Sequence, residues 1–253
     1  MRLFYILGAL LAALSVSAED RPTVVLIHGL AASGANMWHI EETLDAEGYR
    51  VLNVEYPSMS YSLEELAPAI RAVVDEYVGD APKIHFVTHS MGGILLRMIQ
   101  RDDPIEQIGR VVMLAPPNHG SYAVNVFEGI EPFESAIGPA GLALRDGDNA
   151  FLEHLGTPDF EFGVLAGSRG VDPIFSTMIP GPDDGVVSVE STKLEGMSDF
   201  KVIHVSHPMI VIDAEAMDNI VAFLQTGEFL EQTKDRSAEH SWRRQMQHRP
   251  RLP

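Results

Sequence analysis

Lys83-Ile84-His85-Phe86-Val87-Thr88-His89-Ser90-Met91-Gly92-Gly93-Ile94-Leu95 is the stretch on which the reading of the chain turns. Its first half is a short run rich in β-branched and aromatic residues, the composition of a buried strand. Beyond Ser90, the apolar residues Ile94, Leu95, Met98 and Ile99 recur at helical spacing. A serine caught between a strand end and a helix start sits on a tight turn, and Gly92 and Gly93 supply the room it needs. The helix start also leaves backbone N–H groups without partners, aimed at whatever binds the serine. A helix-capping serine in an ordinary α/β protein has the same local sequence. The surrounding chain decides between the two.

Outward from this stretch, strand and helix patterns alternate. Thr23 to His28 reads as a continuous apolar strand ending at His28-Gly29-Leu30, followed by a loop of small residues and a helix through Trp38, Ile40 and Leu44. Tyr49 to Val54 is the next strand, and Leu63 to Tyr77 a helix with Gly79 as its stop. After the serine, Gly109 to Leu114, Phe160 to Ala166 and Phe200 to Val205 complete six strands, and Ala214 to Leu224 is the closing helix. This alternation predicts a mostly parallel six-stranded sheet with helices on both faces. Between about 121 and 158 the alternation lapses into apolar residues interleaved with Gly138, Pro139, Gly141 and Gly147, read as a short cap insertion. Its apolar side chains would line an acyl pocket or form a small core of their own. Ligands of such sheets bind beyond the carboxyl ends of the strands. His28-Gly29-Leu30, Ser90 and Pro116 to Gly120 all fall at those ends.

The 253 residues suffice for one such domain, placed at 19–230. With 36 acidic against 18 basic residues, the surface opposes nucleic acid and anionic lipid as partners. The absence of cysteine removes disulfides, thiol nucleophiles and cysteine-held metals. Arg2, the apolar run Leu3 to Leu14 and the small residues Ser15-Val16-Ser17-Ala18 have the layout of a signal peptide at 1–18, cleaved after Ala18. A secreted or periplasmic location is therefore expected, with 17 basic and 36 acidic residues left in the mature chain. No later segment is apolar for long enough to span a bilayer, which leaves at most transient contact with a lipid interface. Residues 231–253 carry Lys234, Arg236, Arg243, Arg244, Arg249 and Arg251 with almost no aliphatics, a basic polar tail expected to be disordered.

A serine hydroxyl is a poor nucleophile at neutral pH and needs a base within hydrogen-bond reach, itself oriented by an acid. Among the histidines after Ser90, His207 directly follows the last strand in Val205-Ser206-His207-Pro208, where a loop reaches the site. His204 is its main rival, but lies inside the expected strand and reads as a packed histidine. His119 precedes every candidate acid. For the acid, Asp184 in the turn-rich Met178 to Val187 is favoured, with Asp183 beside it as rival and Asp172 a weaker one.

Taken in order, His28-Gly29-Leu30, His89-Ser90-Met91-Gly92-Gly93, Pro116-Pro117-Asn118-His119-Gly120-Ser121, Asp184-Gly185-Val186-Val187 and His207 resemble the α/β-hydrolase superfamily in its bacterial lipase and esterase branch. The resemblance spans Thr23 to Phe229. It implies a compact α/β-hydrolase fold, a Ser90-His207-Asp184 triad, and an oxyanion hole from the backbone N–H groups of Leu30 and Met91. The implied activity is hydrolysis of small-molecule or lipid carboxylic esters through an acyl-serine. Acyl transfer, phospholipase or thioesterase chemistry on the same triad and a non-catalytic binding protein are the other readings. No cofactor is implied. The chain departs from the pattern at Thr88, where the elbow normally has glycine. It also lacks a match, in Pro208-Met209-Ile210, for the calcium-binding aspartate of some lipases, so no structural metal is expected. The two strands that often open the fold have no counterpart.

Overall fold

The computed structural model describes residues 21–147, 150–172 and 176–231. The expected signal peptide and, apart from Glu231, the basic tail lie outside them. Six strands form one sheet: β1 (Thr23–Ile27), β2 (Arg50–Val54), β3 (Ile84–His89), β4 (Ile108–Leu114), β5 (Phe162–Gly167) and β6 (Asp199–Ile203). Their order is β2-β1-β3-β4-β5-β6, and all five pairings are parallel. The chain steps from β1 outward to β2, returns to the other side of β1 as β3, and then proceeds to β6. The order therefore reverses between β1 and β3, and the loops leaving these two strands open a crevice there.

The helices are α1 (Trp38–Ala46), α2 (Leu63–Val78), α3 (Met91–Asp102), α4 (Tyr122–Val126), α5 (Glu131–Leu142), α6 (Ala150–His154), α7 (Val189–Thr192) and α8 (Ala214–Thr226). Side chains alternate across the sheet with a period of two. Val25, Ile27, Phe86, Met113 and Val164 pack with Leu66, Ile70 and Val74 of α2 and Ile94, Leu95 and Met98 of α3. Val24, Leu26, Val87, Leu114 and Leu165 pack with Ile40 and Leu44 of α1 and Ile220, Phe223 and Leu224 of α8. Because both faces are covered, β1, β3 and β5 are buried at every position, which is why β1 and β5 read as nearly continuous apolar runs, while β3 also buries His85, Thr88 and His89.

The expected helix through Trp38, Ile40 and Leu44 is α1, with Trp38 half exposed and Ile40 and Leu44 buried. One local expectation is corrected. The last strand stops at Ile203 rather than Val205, because the Val205 N–H turns back onto the Ile203 carbonyl at 3.0 Å. His204 thus stands outside the strand and is exposed, not packed.

The cap region contains α4, α5 and α6. α5 is broken at Gly138, whose φ of 64° lies in the left-handed region, and a Cβ there would run into the backbone of Met59. The region thereby rests on the loop after β2.

Gly92 fixes how closely α3 approaches β1. A Cβ there would strike the Ile27 carbonyl oxygen and lie 2.8 Å from that of His28, both backbone atoms that cannot move aside. At Gly93 it would meet side chains, Pro116 Cβ at 3.2 Å and Thr88 Oγ1 at 3.3 Å. In an exposed helix, Gly→Ala gains about 1 kcal/mol. Gly92→Ala is expected to reverse that sign and lower stability by roughly 3 kcal/mol, as overpacking does, whereas Gly93→Ala changes it by less. Urea unfolding of the two variants measures the difference.

Candidate active site

Ser90 sits between the last residue of β3 and the first of α3 with φ 53° and ψ −125°. A non-glycine residue there is strained by about 1–3 kcal/mol. The turn is held by the Ser90 N–H donating to the Leu114 carbonyl (2.8 Å) and the Gly93 N–H donating to the Ser90 carbonyl (3.0 Å). A capping serine has extended backbone and accepts from its own helix. Ser90 does neither: its side chain makes no cap hydrogen bond.

The Oγ of Ser90 lies 2.9 Å from Nε2 of His207, and Nδ1 of His207 lies 2.7 Å from Oδ2 of Asp184. A carboxylate only accepts, so Nδ1 carries the proton and Nε2 accepts from the serine hydroxyl. The other carboxylate oxygen of Asp184 accepts from the N–H groups of Val186 (3.0 Å) and Val187 (2.8 Å). The His207 N–H donates to the Asp184 backbone carbonyl at 2.9 Å, so the two loops are joined by main chain as well. Asp184 is fully buried, and Ser90 and His207 are nearly so.

The rival residues lie elsewhere. Asp183 turns away and accepts from Ser176 Oγ (3.0 Å) and the Gly185 N–H (2.7 Å), closing its own turn. Asp172, His119, His154 and His204 are all exposed. His240 and His248 fall outside the described residues.

Met91 is the first residue of α3, where backbone N–H groups find no partner further back in the helix. Leu30 follows Gly29, and the Gly29 backbone is packed hard against the elbow: a Cβ there would stand 3.0 Å from Ser90 Cβ and 3.2 Å from His89 Nδ1. Thr88 fits the elbow because Gly93 leaves space beside its hydroxyl. It is fully buried, and among the described residues its Oγ1 has no hydrogen-bond partner. β-Branching suits its place in β3, while the orphaned hydroxyl is a local cost. Thr88→Val is therefore expected to leave the thermal midpoint unchanged or raise it slightly in a melting experiment.

Two residues around the site were not singled out by the sequence reading. Arg97 of α3 is buried, with its guanidinium on oxygens of the carbonyl type: Asn118 Oδ1 (3.1 Å), Gly156 (2.9 Å) and Leu152 (3.3 Å). Burial lowers its pKa to about 10, which still leaves it charged at neutral pH. His89 lies beneath His207, their ring centroids 4.8 Å apart, and Nε2 of His89 donates to the His207 carbonyl at 3.1 Å. Burial, then the neighbouring His207 ring, lower the His89 pKa to about 3. Only the adjacency of His89 to Ser90 hinted at this contact, since its partner lies over a hundred residues away.

The model of the Alpha/beta hydrolase family matches residues 24–253. The chain belongs to the alpha/beta hydrolase family. No curated protein sequence matches it. Among solved structures, the mature lipase BlEst2 of Bacillus licheniformis is similar at a TM-score of 0.66 and 18% identity, over 82% of this chain and 92% of that one. The metagenomic carboxyl esterase MGS0156 is similar at 0.63 and 18% identity, over 77% and 66%. Phospholipase PlaB of Legionella pneumophila is similar at 0.56 and 21% identity, over 68% and 45%. At these identities the three structures share the fold with this hydrolase.

Burial of His89 has a consequence for stability. The unfolded chain takes up a proton on His89 below its ordinary value of 6.5, whereas the folded protein does so only near 3. The unfolded state holds more protons across that window, so the contribution is intact above pH 6.5 and is lost as pH falls toward 3. One such group contributes a slope of at most about 1.4 kcal/mol per pH unit. His89→Asn should flatten the dependence of the thermal midpoint on pH between 6.5 and 4, even if it lowers the midpoint at pH 8. An unchanged slope would show that other groups carry the acid sensitivity.

Proposed function

We propose that the protein is a serine esterase or lipase that hydrolyses carboxylic esters through an acyl-serine. The observation that carries the reading is the unbroken series Asp184–His207–Ser90, hydrogen-bonded at 2.7 and 2.9 Å, with the serine on a strained elbow at the crevice between β1 and β3. In this mechanism Ser90 Oγ attacks the ester carbonyl as its proton passes to His207 Nε2. His207 then returns the proton to the departing alcohol. Asp184, which cannot leave its two backbone N–H partners, holds the imidazole in the Nδ1–H tautomer and balances its positive form. The oxyanion is taken by the backbone N–H groups of Met91 and Leu30. Water on His207 repeats the sequence to release the acid.

Exposed apolar side chains beyond strand ends support an apolar or lipid ester as substrate: Met59 and Tyr61 on the loop after β2, and Met209 and Ile212 on the 3-10 turn His207–Ile212 after β6. Among the described residues no helix is long and apolar enough to cross a membrane. The first 18 residues support export, and the secreted chain should then begin at Glu19 when its N-terminus is sequenced.

The test is a rate series on p-nitrophenyl esters from acetate to palmitate, with and without a lipid interface, alongside labelling by a fluorophosphonate. Ser90→Ala and His207→Ala should lower kcat by about 10⁴ or more, and Ser90→Ala should abolish labelling. Asp184→Asn should also lower kcat severely, whereas Asp183→Asn should leave it within about tenfold, since Asp183 only closes a turn. A wild-type protein that neither labels nor cleaves any of these esters would refute the reading.

A further inference from the structure

His28 is a fully buried histidine that takes no part in the proton transfers described above. Its Nδ1 lies 2.9 Å from the carbonyl oxygen of Gly29. A carbonyl only accepts, so the bond requires the Nδ1–H tautomer. Nε2 is then a bare lone pair, and it has no hydrogen-bond partner among the described residues. The ring is clamped from the side by Tyr56, stacked on it at 3.9 Å with a 10° tilt, whose hydroxyl donates to the His28 carbonyl. Burial lowers the His28 pKa, with the carbonyls of Gly29 and Tyr56 and the Glu55 charge opposing, so the ring stays neutral near pH 7.

The Gly29 carbonyl belongs to the same peptide unit as the Leu30 N–H. In a planar trans peptide these two groups point in opposite directions, so fixing the oxygen aims the N–H. The constraint matters here because glycine at 29 is conformationally free, and Ala31 just beyond the unit has a φ of 54°.

We propose that His28 is a positioning residue for the oxyanion site: as the Nδ1–H tautomer it pins the Gly29 carbonyl and thereby aims the Leu30 N–H at the oxyanion. This rests on the esterase reading and extends it to a residue outside the triad. His28→Phe keeps a ring against Tyr56 but lacks the donor, whereas His28→Asn places an amide N–H where Nδ1 stands. Loss of an oxyanion donor lowers kcat by about 10²–10³, and a donor that is mis-aimed rather than removed should cost less. His28→Phe is thus expected to lower kcat by roughly 10–100-fold with KM within about twofold, and to weaken a trifluoromethyl ketone, which binds as an oxyanion, by a similar factor. His28→Asn should recover most of both.

Equal losses in the two variants, or no loss in His28→Phe, would overturn the proposal. Should His28→Phe not fold, histidine ¹⁵N shifts of the wild-type protein at pH 7.5 decide: the Nδ1–H tautomer at His28 supports the assignment and Nε2–H overturns it. A wild type that is neither labelled nor active would remove the esterase reading and this proposal together. A labelled, active wild type with Nε2–H at His28 would remove this proposal alone.

Discussion

Ser90 is kept in a left-handed backbone conformation that it would leave if its surroundings allowed, and the architecture around it is arranged to prevent that. The Leu114 carbonyl of β4 holds its N–H from one side, and on the other Gly29 lies so near that a Cβ there would stand 3.0 Å from Ser90 Cβ. Below, α3 sits so close to β1 that position 92 has no space for a methyl group against the Ile27 carbonyl. Three strands therefore determine one φ angle. Because β1, β3 and β4 are adjacent and buried, the strain of about 1–3 kcal/mol is small beside the packing that opposes its release. The strained turn lifts the hydroxyl clear of the helix and leaves the first N–H groups of α3 facing the same crevice.

Charge is handled with similar economy of freedom. Asp184 is fully buried yet has both carboxylate oxygens engaged, one by two N–H groups and one by His207. In the proposed reaction His207 becomes cationic for part of each cycle. His89 lies within 4.8 Å of it, and a second positive ring at that distance would oppose the change by about 3 kcal/mol at an effective dielectric of about 20. Burial of His89 prevents this. Its proton affinity is so reduced that it serves the His207 loop as a neutral hydrogen-bond donor at neutral pH.

The parallel sheet was legible because strands covered on both faces are largely apolar, as Val24 to Ile27 and Phe162 to Gly167 are. The serine turn was legible because its glycines mark the places where backbones touch. The residues that met Ser90 were narrower choices. Nothing local separates Asp184 from Asp183; the decision lies in which carboxylate the Val186 and Val187 N–H groups capture, while Gly185 takes the other. His204 was misplaced because Val202-Ile203-His204-Val205 has strand composition, and only the backward hydrogen bond from Val205 ends the strand early. His28 and His89 act on backbone carbonyls, and a carbonyl acceptor leaves no trace in residue identity. That is why both could be quoted within motifs without their roles being visible.

The cap region was the least legible part, and its attachment explains why. It touches the site scaffold through contacts of two different kinds. Near Gly141, α5 packs against the side chain of Leu30, a purely apolar contact. At the far end, Leu152 and Gly156 give their carbonyls to Arg97, a charged residue of the same helix that carries Ser90 at its start. Hydrogen bonds to a charged group are worth about 1.5–3 kcal/mol each, and the cost rises when the group is left buried and unsatisfied. Arg97 is buried, retains its charge at neutral pH, and already has one unpartnered nitrogen, Nε. Pulling α6 away would leave the guanidinium with Asn118 alone, whereas α5 is seated by close packing, Gly138 on the Met59 backbone and Gly141 on Leu30. The end of the cap region at Arg97 is thus tied by charged hydrogen bonds to the helix that carries Ser90, while its α5 end meets the loop after β1 through the Leu30 side chain.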